Sequence, residues 1–197
     1  MTLVRPPRIL GDAYDRWVEI LPQATENGFQ FNCPSRLPTC LQTEATARAL
    51  LARTDRSPEW IDQMVAHRLS LREHVLSDAR IRLYQVLLRE SALDLPVRGR
   101  DDRSEQLGLL LEAVDAGVQI RLIRDCDDYS GAPLGHFILA MLPSNTVMYV
   151  EEVDSSGVLV RYSLTVDPVK EQFAATWDDV ALTADQTLTF IKDRLPR

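Results

Sequence analysis

The apolar pattern changes period at Arg80, and this change limits the fold more than any other feature of the chain. Upstream, Trp60, Ile61, Met64, Val65, Leu69 and Val75 recur at roughly helical spacing to about Leu76. Ser57-Pro58-Glu59 opens that segment with a capping serine, a proline at the first helical position and a carboxylate facing the positive end of the helix dipole. From Arg80 to Leu88 the residues alternate and then become wholly apolar, as a strand does on entering a core. A chain with both patterns must pack helices against a sheet.

The remaining elements follow from the same signals. Residues 1–9 read as a flexible arm, locally stiff at Arg5-Pro6-Pro7-Arg8. A short helix is expected over 10–26, around Tyr14, Trp17, Val18 and Leu21, and then a turn-rich connection from Asn32 to Pro38. Thr43 is placed to cap a helix over 44–53. A helix over 101–115 carries Leu107, Leu110, Leu111 and Val114 on one face. Val118–Ile123 alternates as a strand, and a polar loop runs from Arg124 to Gly135. Strands are expected at His136–Leu142, Thr146–Glu151 and Val158–Ser163. Helices over about 168–180 and 184–194 close the chain, the last opened by a capping box at Thr183 and Gln186. The expected fold is α+β (α/β-like). It is a mixed sheet of about five strands with N-terminal helices, one crossover helix and two C-terminal helices, most of them on one face. Residues 10–197 form one domain, with a helical part over 10–78 and the sheet and its helices over 79–197.

A domain of 197 residues can bury enough apolar surface to fold without a disulfide or a metal. Three cysteines, Cys33, Cys40 and Cys126, have no close metal-type spacing, and their odd number argues against a disulfide framework. No membrane-length apolar run and no leader-like segment is present, so a cytoplasmic protein is expected. The net charge of −7 is uneven. Residues 1–100 hold 14 Arg against 12 Asp and Glu, whereas residues 101–197 hold 8 basic against 17 acidic residues. A half at −9 repels phosphate backbones, so direct nucleic-acid binding is not expected.

Several blocks, in order, carry a resemblance. They are Leu37-Pro38, Leu41-Gln42-Thr43 and Ala47-Arg48-Ala49-Leu50; Arg68; Glu90-Ser91-Ala92-Leu93 with Pro96-Val97; Gln106-Leu107; Phe137; Tyr149-Val150-Glu151; and Leu182-Thr183 through Ile191. Together, over about residues 15–195, they resemble the domain of unknown function numbered 5753, the Scr-type antitoxin-like transcriptional regulators of actinobacteria. Cys40 and Thr39 stand where that family has Leu and Gly. Family members usually carry an N-terminal Xre-type helix-turn-helix, and the residues ahead of Leu37 contain no recognisable DNA-binding unit. The resemblance therefore implies a regulator's domain without its DNA-reading element.

Candidate chemistry is sparse. Glu90 and Glu151 end apolar strands, where two carboxylates can converge as acid and base; the plainer readings are pairing of Glu90 with Arg68 or Arg89 and a solvated Glu151. His136, beside the glycine-flanked loop, is the best single candidate for proton transfer, set against a satisfied structural histidine. Cys40 precedes a helix start, which can lower a thiol pKa, set against the plainer reading of a small buried hydrophobe. Asp125, Asp127 and Asp128 lack the glycine and distal glutamate of a calcium loop, so a solvated loop is the favoured reading, and a lid over a ligand pocket fits the segment better than a cation site does. His67 and His74 share a helix face about 10 Å apart, too far for one metal, and are expected at the surface. With no phosphate loop, nucleophile elbow or zinc signature, no cofactor and no metal is expected.

Two functions from different classes follow. One is a stand-alone regulatory, sensor-like domain binding a small metabolite or small partner protein through Arg68, Glu90, Tyr149, Glu151 and Cys40, with a homodimer as an admissible assembly. The other is a cofactor-independent biosynthetic enzyme of the cyclase, isomerase or lyase type, with His136, Glu90 or Glu151 as acid and base.

Overall fold

The computed structural model describes residues 16–17, 19–20, 24, 28–77, 83–94, 97, 99–125, 136–151, 157–160 and 163–196. Its centre is a strand that the sequence pattern hides. Phe29–Cys33 forms β1 and is buried along its whole length. Asn32 and Cys33, expected in a turn, belong to this strand, and the turn starts at Pro34. Gln30 and Asn32 disguise it, because both are polar yet buried inside a sheet covered on both faces. Gly28 admits the chain. Its φ is 114°, and a Cβ there would lie 2.5 Å from the Leu83 carbonyl oxygen.

From β1 the chain passes through a short 3-10 turn (Thr39–Leu41), α1 (Glu44–Leu51) and α2 (Pro58–Ser77) to β2 (Tyr84–Arg89). A second 3-10 turn (Glu90–Leu93) and α3 (Arg100–Asp115) lead to β3 (Gln119–Ile123). Then come β4 (Phe137–Met141), β5 (Thr146–Glu151), β6 (Gly157–Val160), α4 (Ser163–Asp179) and α5 (Ala184–Asp193). The sheet order is β3-β2-β1-β4-β5-β6. β1, β2 and β3 are parallel, and β4, β5 and β6 join antiparallel. The α+β class and the mixed sheet hold, with β1 as the additional, central strand. The flexible arm over 1–9 and the loop over 126–135 lie outside the described residues.

α4 starts earlier than the sequence indicates. Pro168, at the expected start of a helix over about 168–180, sits inside it. Being near the amino end, it forfeits only the bond to residue 164 and is tolerated. β6 ends at Val160 accordingly, short of the expected Ser163.

Two apolar layers hold the sheet. The larger joins Phe31, Val86, Leu88, Leu122 and Ile138 to Leu51 of α1, Met64 and Val65 of α2, Leu107 and Leu110 of α3, and Ile191 of α5. The smaller, on the opposite face, packs Leu87, Leu139 and Met148 under Val166, Phe173 and Trp177 of α4. Helices thus lie mainly on one face, as alternation in the strands requires. His67 is a correction: it is 1% exposed, because α2 turns that face inward beside Met64.

The corner between β1 and α1 is pinned by two buried amides. Gln42 Nε2 donates to the Leu37 carbonyl at 2.8 Å, and Gln42 Oε1 accepts from Arg68 Nη1 at 2.9 Å. Gln106 reaches in from α3, accepting from the Thr43 main-chain N–H and donating to the Leu41 carbonyl, both at 2.8 Å. Thr43 Oγ1 then accepts from Thr46 N and caps α1. These bonds answer the Leu37 and Leu41 carbonyls and the Thr43 and Thr46 N–H groups inside the protein, where each unpaired group would cost about 1–3 kcal/mol.

Two stability effects follow. Gln106→Met strands the Thr43 N–H and the Leu41 carbonyl, and should lower unfolding free energy by about 2–4 kcal/mol in urea denaturation. Gly28→Ala forces a side chain against Leu83 at a positive φ, and should cost about 2–4 kcal/mol in the same measurement. A loss under 0.5 kcal/mol in either case would contradict the geometry.

Candidate functional site

Strand direction gathers the chemistry at one rim. β4 runs against β1, and β5 runs against β4, so β5 points the same way as β1, β2 and β3. The carboxyl ends of these four strands and the amino end of β4 therefore share one edge of the sheet. Pro34–Arg36, Glu90, Asp125, His136 and the backbone of Glu151 all fall there. From β1 the next strand in sequence lies on one side, while β4 is added on the other.

At the reversal stands a pair that sequence reading did not join. Ser35 Oγ and His136 Nε2 are 3.1 Å apart, one donating to the other according to the imidazole tautomer. Ser35 is exposed and His136 is buried. Burial strips water from the imidazole, and Arg36 adds a repelling positive charge, so the His136 pKa is pulled down to about 3. His136 is neutral throughout the physiological range and presents one fixed donor and one fixed acceptor. Ser35 had no visible signal beyond a Pro-Ser-Arg turn, because its partner is 101 residues away.

Glu90 lies on the same rim but is committed elsewhere. Its Oε1 meets Arg194 Nη2 at 2.6 Å, and its Oε2 accepts from the Asp125 main-chain N–H at 3.4 Å. The pairing is with Arg194, at the end of α5, where the sequence reading had Arg68 or Arg89. Arg194 holds the Glu90 carboxyl below the usual glutamate range, so it is ionised and a weak base. Asp125 is tied in as well, accepting from Ser91 Oγ at 3.2 Å and lying 3.6 Å from Arg89 Nε. This cluster fastens β2, β3 and the end of α5 together.

The other expected site residues sit inside the large apolar layer, away from the rim. Arg68 is 1% exposed and holds Gln42. Tyr149 is fully buried and stacks on Trp17, with ring centroids 5.2 Å apart. Cys40 Sγ is buried 2.5 Å from the Tyr84 hydroxyl, which lies among Phe29 and Phe31. These three brace the fold beneath the rim. Among the described residues, no three His, Cys, Asp or Glu side chains gather as a metal centre needs.

The depressed His136 pKa has a definite consequence. The unfolded chain takes up a proton near pH 6.5 and the folded one only near 3, so His136 favours folding above 6.5 and loses that contribution as pH falls toward 3. His136→Gln should therefore flatten part of the fall in unfolding free energy between pH 6.5 and 4. NMR of the wild-type His136 ring protons should show no titration above pH 4, and a midpoint near 6.5 would refute the burial argument.

No curated protein and no solved structure matches the chain. A family model for the domain of unknown function DUF5753 matches residues 33–193, from the end of β1 through α5. The match spans well over half of the sequence and includes the pinned corner, the rim and the closing helices, and by it the chain belongs to the DUF5753 family.

Proposed function

We propose that this protein is a regulatory, sensor-like domain that takes a small polar metabolite at the rim between β1 and β4 and does not itself read duplex DNA. The observation that carries the reading is the Ser35–His136 pair at the strand reversal. An exposed hydroxyl held by a buried neutral imidazole is a preorganised hydrogen-bonding point that loses little side-chain freedom when a ligand arrives. The acidic second half of the chain weighs against a phosphate backbone as the partner. The setting is the one the family resemblance implies, an antitoxin-like regulator working in an actinobacterial cytoplasm, where a small partner protein is the alternative occupant of the same rim.

The same pair supports a second reading, a cofactor-independent cyclase, isomerase or lyase with His136 as base. The electrostatics favour binding over catalysis. An imidazole with a pKa of about 3 has little proton affinity at neutral pH, and Glu90 is neutralised by Arg194.

Native mass spectrometry of the purified protein tests the first reading. A co-purifying small molecule should be present in the wild type and lost from Ser35→Ala and His136→Gln variants of unchanged secondary structure. Duplex DNA should not be retarded at about 150 mM salt. Sequence-specific retardation, or a bound mass indifferent to both substitutions, would defeat the proposal. Turnover of a biosynthetic intermediate abolished by His136→Gln would establish the second reading in its place.

A further inference from the structure

A cleft lies at the free edge of β3, lined by none of the rim residues. It holds about 320 Å³ and is lined by the end of α3, by Gly117–Arg121, by Trp177 of α4 and by Ala184 and Leu188 of α5. β3 is the last strand of the sheet on this side. Successive residues of a strand direct their N–H and C=O groups alternately to its two sides. Leu122 points outward, since its carbonyl accepts from Leu182 N at 2.8 Å and its N–H donates to Thr187 Oγ1 at 3.2 Å. Two residues earlier, Ile120 must point outward too. Upstream, the Val118 N–H is taken by the Ala113 carbonyl at 2.9 Å. The open edge thus centres on Ile120, between Val118 and Leu122. Ile120, 3% exposed, lines the cleft and by this alternation turns one donor and one acceptor side by side toward it, and no described group answers them.

The walls complete the chemistry. Val114, Val118 and Leu188 are apolar, and Trp177 supplies an aromatic flank. The guanidinium of Arg121 lies 4.8 Å over the Trp177 ring and donates to the Trp177 carbonyl, so the cleft's cation is already engaged. The Gln119 carboxamide ends an in-register amide ladder across three parallel strands, Gln30 to Gln85 at 2.8 Å and Gln85 to Gln119 at 3.3 Å. Its outer end has hydrogen-bonding capacity at the cleft mouth.

We infer that this cleft is a binding site for a small planar molecule carrying an adjacent N–H donor and C=O acceptor, a lactam or carboxamide. Such a ligand pairs with both main-chain groups of Ile120 while its flat body lies among Val114, Leu188 and Trp177. The dimensions favour a small molecule over a polypeptide. A cleft of about 320 Å³ is at the lower end of ligand pockets, and so short an open edge gives a docking strand or a second copy of β3 few hydrogen bonds. The site is separate from the rim at Ser35 and His136 and does not depend on the function proposed there.

The test uses the full chain labelled with 15N, titrated with 2-pyridone and, separately, with N-methyl-2-pyridone, which lacks the donor. The Ile120 amide should exchange with solvent faster than the Leu122 amide in the free protein, and should shift saturably with 2-pyridone. The N-methyl compound should bind about tenfold or more weakly, as expected when one carbonyl partner is lost. Ala184→Trp, at an exposed position, should plug the cleft and abolish the shift, and Leu188→Gln should weaken it while leaving the melting temperature near that of the wild type. Equal affinity for the two compounds, shifts confined to Ser35 and His136, no shift at Ile120, or an Ile120 amide protected by concentration-dependent dimerisation would each overturn the inference.

Discussion

Everything in this fold depends on β1 being bonded along both of its edges. One edge meets β2 in parallel register, and the other meets β4 antiparallel. A strand so placed is the hinge between two ways of building a sheet. Helical crossovers supply its parallel side, and on its antiparallel side β4 joins β5 through the short turn at Leu142–Asn145. Remove it, and the parallel and antiparallel parts of the sheet share no strand pairing. The positive φ at Gly28 and the tight approach to Leu83 are what allow the chain to enter at that point.

Immediately after β1 the chain must turn back toward the first helix with little water to help. Gln42, Gln106 and Arg68 solve this by placing side-chain amides and a guanidinium where main-chain partners would otherwise stand. The block from Leu37 to Leu50 that carries the family resemblance is therefore, in physical terms, a buried corner and its fasteners. Its residues explain why the fold closes. They do not touch the rim where the strand ends open, so likeness in this block speaks for the scaffold first. The rim's own chemistry rests on Ser35, Arg36 and His136, which lie outside the blocks that carry the resemblance.

Much of the molecule was legible in advance. Ser57 and Pro58 opened α2 as written, Thr43 capped α1, and Thr183 with Gln186 formed the capping box of α5. These are local devices, fixed within a few residues by hydrogen bonds that a single helix turn can make. Strands with clean alternation, such as Gln119–Ile123, were equally plain. β1 was not, because Gln30 and Asn32 occupy buried positions that alternation assigns to solvent. Gln30 is tolerated there only because Gln85 and Gln119 stand in register beside it.

The sequence by itself determined most elements other than β1, the helix caps, the α+β class and the acidity of the second half, since each follows from short-range patterning or from counting. The tertiary structure alone decided which polar groups meet. It joined Ser35 to His136 across 101 residues, gave Glu90 to Arg194 across 104, and withdrew Arg68, Tyr149 and Cys40 into the core. The reason is that protonation, nucleophilicity and binding depend on burial and on neighbours within a few ångströms. Those distances are set by strand order and direction, which no local pattern encodes.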